Sequence, residues 1–225
     1  MVARIWITDT GVLVAAYGFV AAAVAFSIQD FFKNFVGGLI LLLKGNYKVG
    51  DRVMIKEITG DVIDISLLYT SLLEIEGWVA GDQPTGRIVM IPNSVNLSGV
   101  ITNYTEDHTF IWDEMHIPVP YGSDWEKARD IIKEITNAET DSITQEARPE
   151  LEKLRNKYFL SEANIEPSVY IKMTDNWISL HVRYITKTHE RRIVSNILSQ
   201  KILKALNEAK IEIASATMEV TVKNR

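Results

Sequence analysis

The twenty residues from Thr10 to Gln29 carry no charge. As an α-helix rising about 1.5 Å per residue, they reach roughly 30 Å, the thickness of a bilayer's hydrocarbon core. A second apolar segment, Asp30–Leu43, follows directly and contains Lys33 and Asn34. Then comes the turn-rich, charged run Lys44-Gly-Asn-Tyr-Lys-Val-Gly-Asp51. This junction reads as a pore-lining membrane helix attached to a soluble body.

Two other readings of the first stretch are weaker. Ala23-Val-Ala25 looks like a signal-peptide cleavage site, but Arg4 is the only basic residue of the preceding region and apolar character resumes at Phe31. A buried core helix of a soluble protein would also be apolar, and the run sits at the lower edge of membrane-span length.

The stretch is rich in small residues instead of leucine. Ala15, Gly18, Ala22 and Ala25 recur at helical spacing and share one face; Ala21, Ala16, Ala23 and Gly11 add small surface. In lipid, small faces let helix backbones approach closely. One helix cannot bury such a face alone, so several copies around an axis are expected. Lys33, Lys44, Lys48, Arg52 and Lys56 follow the span and only Arg4 precedes it, which places the C-terminal body in the cytoplasm of a cell with this protein in its inner membrane.

In the second segment Phe31, Phe32, Phe35, Leu39 and Leu42 or Leu43 form an apolar helical face, with Asp30, Lys33, Asn34 and Gly37 off it. Asp30 suits a helix N-terminus. A bend between Gln29 and Phe31 is therefore expected, with the second helix along the inner membrane surface. The alternative is one longer, continuous helix.

From Tyr47 the apolar period becomes 2. Strands are expected at Arg52–Ile55, Gly60–Ile65, Thr70–Ile75, Arg87–Ile91 and Val100–Tyr104, which together predict a small barrel. Gly50-Asp51 reads as a turn into the first strand, Gly60 as a positive-φ turn, and Pro92-Asn93 as a strand end. Gly81–Gly86 reads as an exposed hairpin tip. After the polar link Thr105–Thr109, a strand at Glu114–Val119 precedes Ser123-Asp-Trp-Glu126, a capping box opening a helix to about Asn137. Thr140–Tyr158 continues as the second arm of a helical hairpin. A β-hairpin, Ser168–Met173 and Ile178–Ile185, turns at Asp175-Asn176; a helix spans His189–Ala209; and Met218–Val222 is a last strand. The β-α-β-β-α order predicts an α+β sandwich.

The order Gln29, Asn34, Gly38, Val49-Gly-Asp51, Gly60-x-Val62-x-x-Ile65, Thr70 and Ile91-Pro-Asn93 closely resembles the small-conductance mechanosensitive channel family. The resemblance covers about Gly11 to Tyr104, and more loosely the rest. It implies a kinked pore helix with an interfacial amphipathic helix over 1–44, a five-stranded Sm-like (SH3-like) β domain over 45–105, and a ferredoxin-like α+β vestibule domain over 106–215. Residues 216–225 would supply a strand to an inter-subunit barrel, in a homo-oligomer expected to be a heptamer. Partners are then copies of the chain, membrane lipids, and the ions and small osmolytes that pass. The bulky pair that constricts the pore in the family's best-known members aligns with Ala22 and Phe26. Phe26 can form an apolar ring that gates by dewetting, and Ala22 cannot. The kink glycine is replaced by Asp30, so Gln29, Asp30, Asn34, Gly37 and Gly38 describe the kink and interfacial helix. Two further membrane helices normally precede the pore helix; nine residues do here, as in a truncated or a minimal natural form, so tension sensing by such helices is not expected from these residues.

Other classes find no footing. A net charge of −5 lacks the basic footprint of a nucleic-acid binder. With no cysteine, thiolate catalysis and Cys-based zinc sites are out. No phosphate-loop, dinucleotide or nucleophile-elbow motif occurs, so neither an enzyme nor a cofactor is expected. His108, His116, His181 and His189 show no ligand spacing; no metal is expected unless folding assembles a site. The competing function is a non-conducting ring, soluble or anchored in the membrane.

Overall fold

A computed structural model of the chain describes residues 10–79, 81–159 and 164–215. These form two compact units, residues 10–79 with 84–103, and residues 81–83 with 104–215. Residues 216–225, including the expected strand Met218–Val222, lie outside the described residues.

The first unit opens with helix α1, Thr10–Lys44, which is 35 residues long. The two helices expected on either side of Asp30 are therefore one. Residues 28–32 contain neither Pro nor Gly, so no backbone donor is lost and no residue favours a break. Asp30 is not a cap; it lies mid-helix, 3.7 Å from Lys33.

Five antiparallel strands follow: β1 Arg52–Ile55, β2 Ile58–Ile65, β3 Tyr69–Ile75, β4 Pro84–Pro92 and β5 Ile101–Asn103. Their order is β4-β3-β2-β1-β5, so main-chain pairing leaves β4 and β5 as edges. A short helix, α2 Val95–Ser98, joins them. Alternation puts Val53, Ile55, Val62, Leu72 and Ile91 into one core with Tyr47 and Val95. Leu41, from the far end of α1, is 2% exposed in the same core.

Gly60 is not in a turn. It lies inside β2, and a Cβ there would sit 2.8 Å from the Leu73 carbonyl oxygen and 3.0 Å from Leu72 Cβ. Close approach of β3, rather than a positive φ, demands the glycine. The left-handed turn is at Lys56 and Glu57, with φ of 50° and 67°.

The second unit has the order β6 Phe110–Val119, α3 Trp125–Tyr158, β7 Ser168–Met173, β8 Ile178–Lys187 and α4 Arg191–Glu208. Its sheet is antiparallel in the order β6-β8-β7. Asp124, one residue later than expected, caps α3 by accepting from the Lys127 amide at 3.0 Å. The expected helical hairpin is one 34-residue helix. Its buried residues, Ala128, Ile132, Thr136, Thr140, Thr144, Ala147 and Leu151, run as a single stripe through the position of the supposed turn. The Thr136 and Thr140 hydroxyls donate to the carbonyls of Ile132 and Thr136 at 2.7 and 2.8 Å, so each is hydrogen-bonded within the helix where it is buried. Leu180, Val182, Leu198, Ile202 and Leu206 close the main core against this stripe.

The tip residues 81–83 are not a free hairpin end. They belong to the second unit, where Asp82 meets the Arg191 guanidinium at 3.4 Å. Arg191 Nε also donates to Asp113 at 2.9 Å, and Asp113 accepts from the Tyr184 hydroxyl at 3.0 Å. Burial, reinforced by the Asp113 charge, pushes the Tyr184 phenol well above its ordinary pKa.

Candidate functional site

The site is helix α1 and the surface that receives its C-terminal end. Every residue from Val14 to Lys33 is exposed in the subunit. Phe19 and Phe26 are 79% and 75% exposed. Ala15, Gly18, Ala21, Ala22 and Ala25 are all exposed, and nothing lies within 4 Å of a Cβ placed on Gly18. Ala22 and Phe26, one helical turn apart, share a face. Gln29 and Asp30 are likewise exposed. A helix this apolar and this bare is unstable in water, and suits lipid on some faces and helices of other copies on the rest. Ser27 donates to the Ala23 carbonyl at 2.8 Å, so its hydroxyl is satisfied within the helix.

The character of α1 changes at Asn34. From there to Leu41 the helix is seated on the β domain. Asn34 Oδ1 accepts from the Ser94 amide at 2.9 Å. Gly37 and Gly38 are buried, and neither is a hinge. A Cβ on Gly37 would lie 2.0 Å from the Asn93 carbonyl oxygen, and one on Gly38 would lie 2.1 Å from that of Leu67. The two glycines allow the helix to lie directly on the β2–β3 and β4–α2 loops.

Asn93 organises this seat. It is 0% exposed, just after Pro92 ends β4. Its Oδ1 accepts from Thr70 Oγ1 at 2.8 Å, its Nδ2 donates to the Ser66 carbonyl at 2.8 Å, and its amide donates to the Leu68 carbonyl at 2.9 Å. Its carbonyl accepts from the Asn96 amide at 3.0 Å. The Thr70 hydroxyl lies 3.0 Å from the buried Tyr47 hydroxyl, which accepts from Asn96 Nδ2 at 3.3 Å. A buried amide with each of these groups satisfied fixes two loops as one rigid cradle.

Asp51 fixes the other approach to the sheet. It is 4% exposed and accepts at Oδ2 from the Lys48 amide and from Asn103 Nδ2, each at 3.0 Å. Gly50 has a φ of 95°, and its amide donates to the Val62 carbonyl at 2.8 Å. Beside it Arg52 donates to Asp61 with Nε at 2.7 Å and Nη2 at 2.9 Å, across the β1–β2 pair.

Of the residues singled out from the sequence, Asn34, Gly37, Gly38, Pro92 and Asn93 converge on the seat, while Gly50, Asp51 and Gly60 shape the sheet. Ala22 and Phe26 are both exposed among the described residues. Ser66, Leu67 and Ser94 were not legible as part of the seat. The signal that could have revealed it is the Gly-Gly pair inside an apolar helix, which marks close approach of another backbone. Of the four histidines, His116 and His181 are brought together by the β6–β8 pairing.

Comparison with known proteins agrees with this architecture. Residues 30–106 match the family description "Mechanosensitive ion channel, beta-domain", and residues 113–213 match "Mechanosensitive ion channel MscS, C-terminal". An MscS family protein of Haemophilus influenzae is 25% identical over 204 residues, covering 91% of this chain and 16% of that one. The mechanosensitive channel MscK of Escherichia coli is 28% identical over 131 residues, covering 58% of this chain and 11% of that one. The closed-state crystal structure of Helicobacter pylori MscS covers 100% of this chain and 78% of that one, with a TM-score of 0.71 at 23% identity. The chain thus spans a small part of the first two proteins and most of the third. With an α1 long and apolar enough to cross a bilayer, a seat that fastens its end to the β domain and two matched domains, the chain belongs to the MscS family of mechanosensitive ion channels.

Proposed function

We propose that the chain is one subunit of a homo-oligomeric, heptameric channel in which copies of α1 line a pore that opens under bilayer tension and releases ions and small osmolytes on hypo-osmotic stress. The observation that carries this reading is the contrast along α1. Twenty consecutive residues, Val14 to Lys33, are bare, and the next turns are fastened to the β domain through Asn34, Gly37, Gly38 and Leu41. A helix clamped at one end transmits movement of its free part to the domain below, and the reverse. The small surface of Ala15, Gly18, Ala21, Ala22 and Ala25 packs against neighbouring copies, and Phe26 forms the constriction. The body lies in the cytoplasm beneath the inner membrane, with residues 106–215 as the vestibule wall and 216–225 supplying its terminal strand.

The test is reconstitution of the purified chain into liposomes, with its mass measured in the same detergent. The expected result is a complex of seven subunits that passes current when suction is applied. A monomer defeats the assembly. A ring that conducts at no tension below lysis leaves a non-conducting structural oligomer as the function.

A further inference from the structure

The second unit carries a cluster that the channel reading does not use. Glu114 and His116 are two residues apart on β6, so both side chains leave the same face of the strand. His181, on β8, is the direct cross-strand partner of His116. The two imidazole rings stand with centroids 4.0 Å apart. Glu114 Oε1 lies 2.9 Å from His116 Nε2 and 2.9 Å from His181 Nδ1. One donor atom from each residue falls within 4.8 Å of the others.

We propose that Glu114, His116 and His181 form a binding site for a transition-metal dication of the zinc class. Two imidazoles and a carboxylate are the ligand types that such an ion takes, with a fourth position left to water. Ligand bonds of about 2.1 Å in a tetrahedron set ligand atoms about 3.4 Å apart. The observed 2.9 Å separations around Oε1 reach that value by side-chain movements of about half an ångström, with no change in backbone. The strands make the site rigid, because Glu114, His116 and His181 all lie within the continuous β6–β8 ladder. Arg183 stands opposite Glu114 in the register, yet its guanidinium lies 5.4 Å from the Trp112 ring centre, in cation–π range. The cluster is also reachable, since Glu114 and His116 are exposed and His181 is partly so. Magnesium and calcium, which prefer sets of oxygen ligands, are poorly matched to two imidazoles.

The experiment uses the tag-free full chain in detergent, stripped with chelator and then equilibrated with Zn2+ alone. Bound metal is measured after gel filtration and by competition with a chromophoric chelator. The expected result is one Zn2+ per subunit, unaffected by excess Mg2+ and retained by His189→Gln. His116→Gln, at an exposed position, and His181→Ala should each lose the ion; Glu114→Gln should weaken binding at least about tenfold, the loss typical of a group supporting a metal site. Co2+ in place of Zn2+ should give the visible absorption of tetrahedral coordination in the parent and not in His116→Gln. The proposal is overturned if the stripped parent takes up no Zn2+, or if His116→Gln, folded by circular dichroism, holds as much as the parent.

Discussion

Gly37→Ala is the sharpest perturbation of the clamp between α1 and the β domain. The new methyl carbon would sit 2.0 Å from the Asn93 carbonyl oxygen and 2.5 Å from its carbon, whereas real Cβ contacts essentially never fall below 3.0 Å. Helix or loop must therefore retreat by at least 1.0 Å. The loop cannot yield cheaply, because the side chain, amide and carbonyl of Asn93 are all bonded to Thr70, Ser66, Leu68 and Asn96. The helix retreats instead, which breaks the Asn34–Ser94 bond, worth about 1 kcal/mol. It also withdraws Leu41 from the core, costing about 2 kcal/mol. Against this, alanine favours the helix over glycine by about 1 kcal/mol. The net loss is about 2 kcal/mol at the seat, or roughly thirtyfold in its opening equilibrium. Hydrogen exchange at the Ser94 amide reads that opening directly, and should be roughly thirtyfold faster in the variant. Gly18→Ala is the control, since a Cβ there meets nothing in the subunit and the Ser94 amide should exchange as in the parent. If Gly37→Ala leaves that amide as protected as before and the melting temperature equal or higher, the seat is not the rigid contact described here.

Three other outcomes are expected. If Phe26 forms the constriction as proposed, Phe26→Ser should lower the tension needed for opening by hydrating it; unchanged threshold and conductance in patch recordings would refute that role. Asn93→Ala leaves the Ser66 carbonyl and the Thr70 hydroxyl each short of a partner, and should destabilise the first unit by about 2 kcal/mol, read as a fall in denaturation midpoint. Glu74 is held below the usual carboxylate range by hydrogen bonds from Arg87 and Thr85. A depressed folded-state pKa means that this stabilisation is fully present above the unfolded value, about pH 4.3, and is lost as pH falls through the lower folded one. The melting-temperature gap between the parent and Glu74→Gln should therefore be present at neutral pH and close on acidification below about pH 4.

The strands of both units were readable wherever the period of 2 was clean. β1 and β7 have the expected limits, while β2, β6 and β8 extend beyond theirs because pairing recruits flanking residues of no strong preference. The reading of α3 failed for a specific reason. Thr136, Thr140 and Thr144 occupy the middle of its buried stripe. Threonine counts as polar and as a poor helix former, so the sequence pattern lapses where the packing does not. Asp30 misled in the opposite sense. It has the chemistry of a helix start, but chemistry at one residue does not stop a helix whose neighbours all continue it.

The amino-acid sequence alone determined that this chain carries a bilayer-length apolar helix with a small-residue face, followed by a strand-rich and then a mixed body. Those are properties of composition and period, and they are local. The tertiary structure decided what the individual residues do. Gly37 and Gly38 turn out to be contact glycines, Gly60 to be a close approach between strands, and Asn93 to be the centre of a seat that gathers Ser66, Leu68, Thr70 and Asn96. It also joined His116 to His181 across 64 intervening positions. The physical reason is the same in each case. Backbone proximity and the partners of a buried polar group are set by which strands pair and which loops meet, and no periodicity along the chain records either.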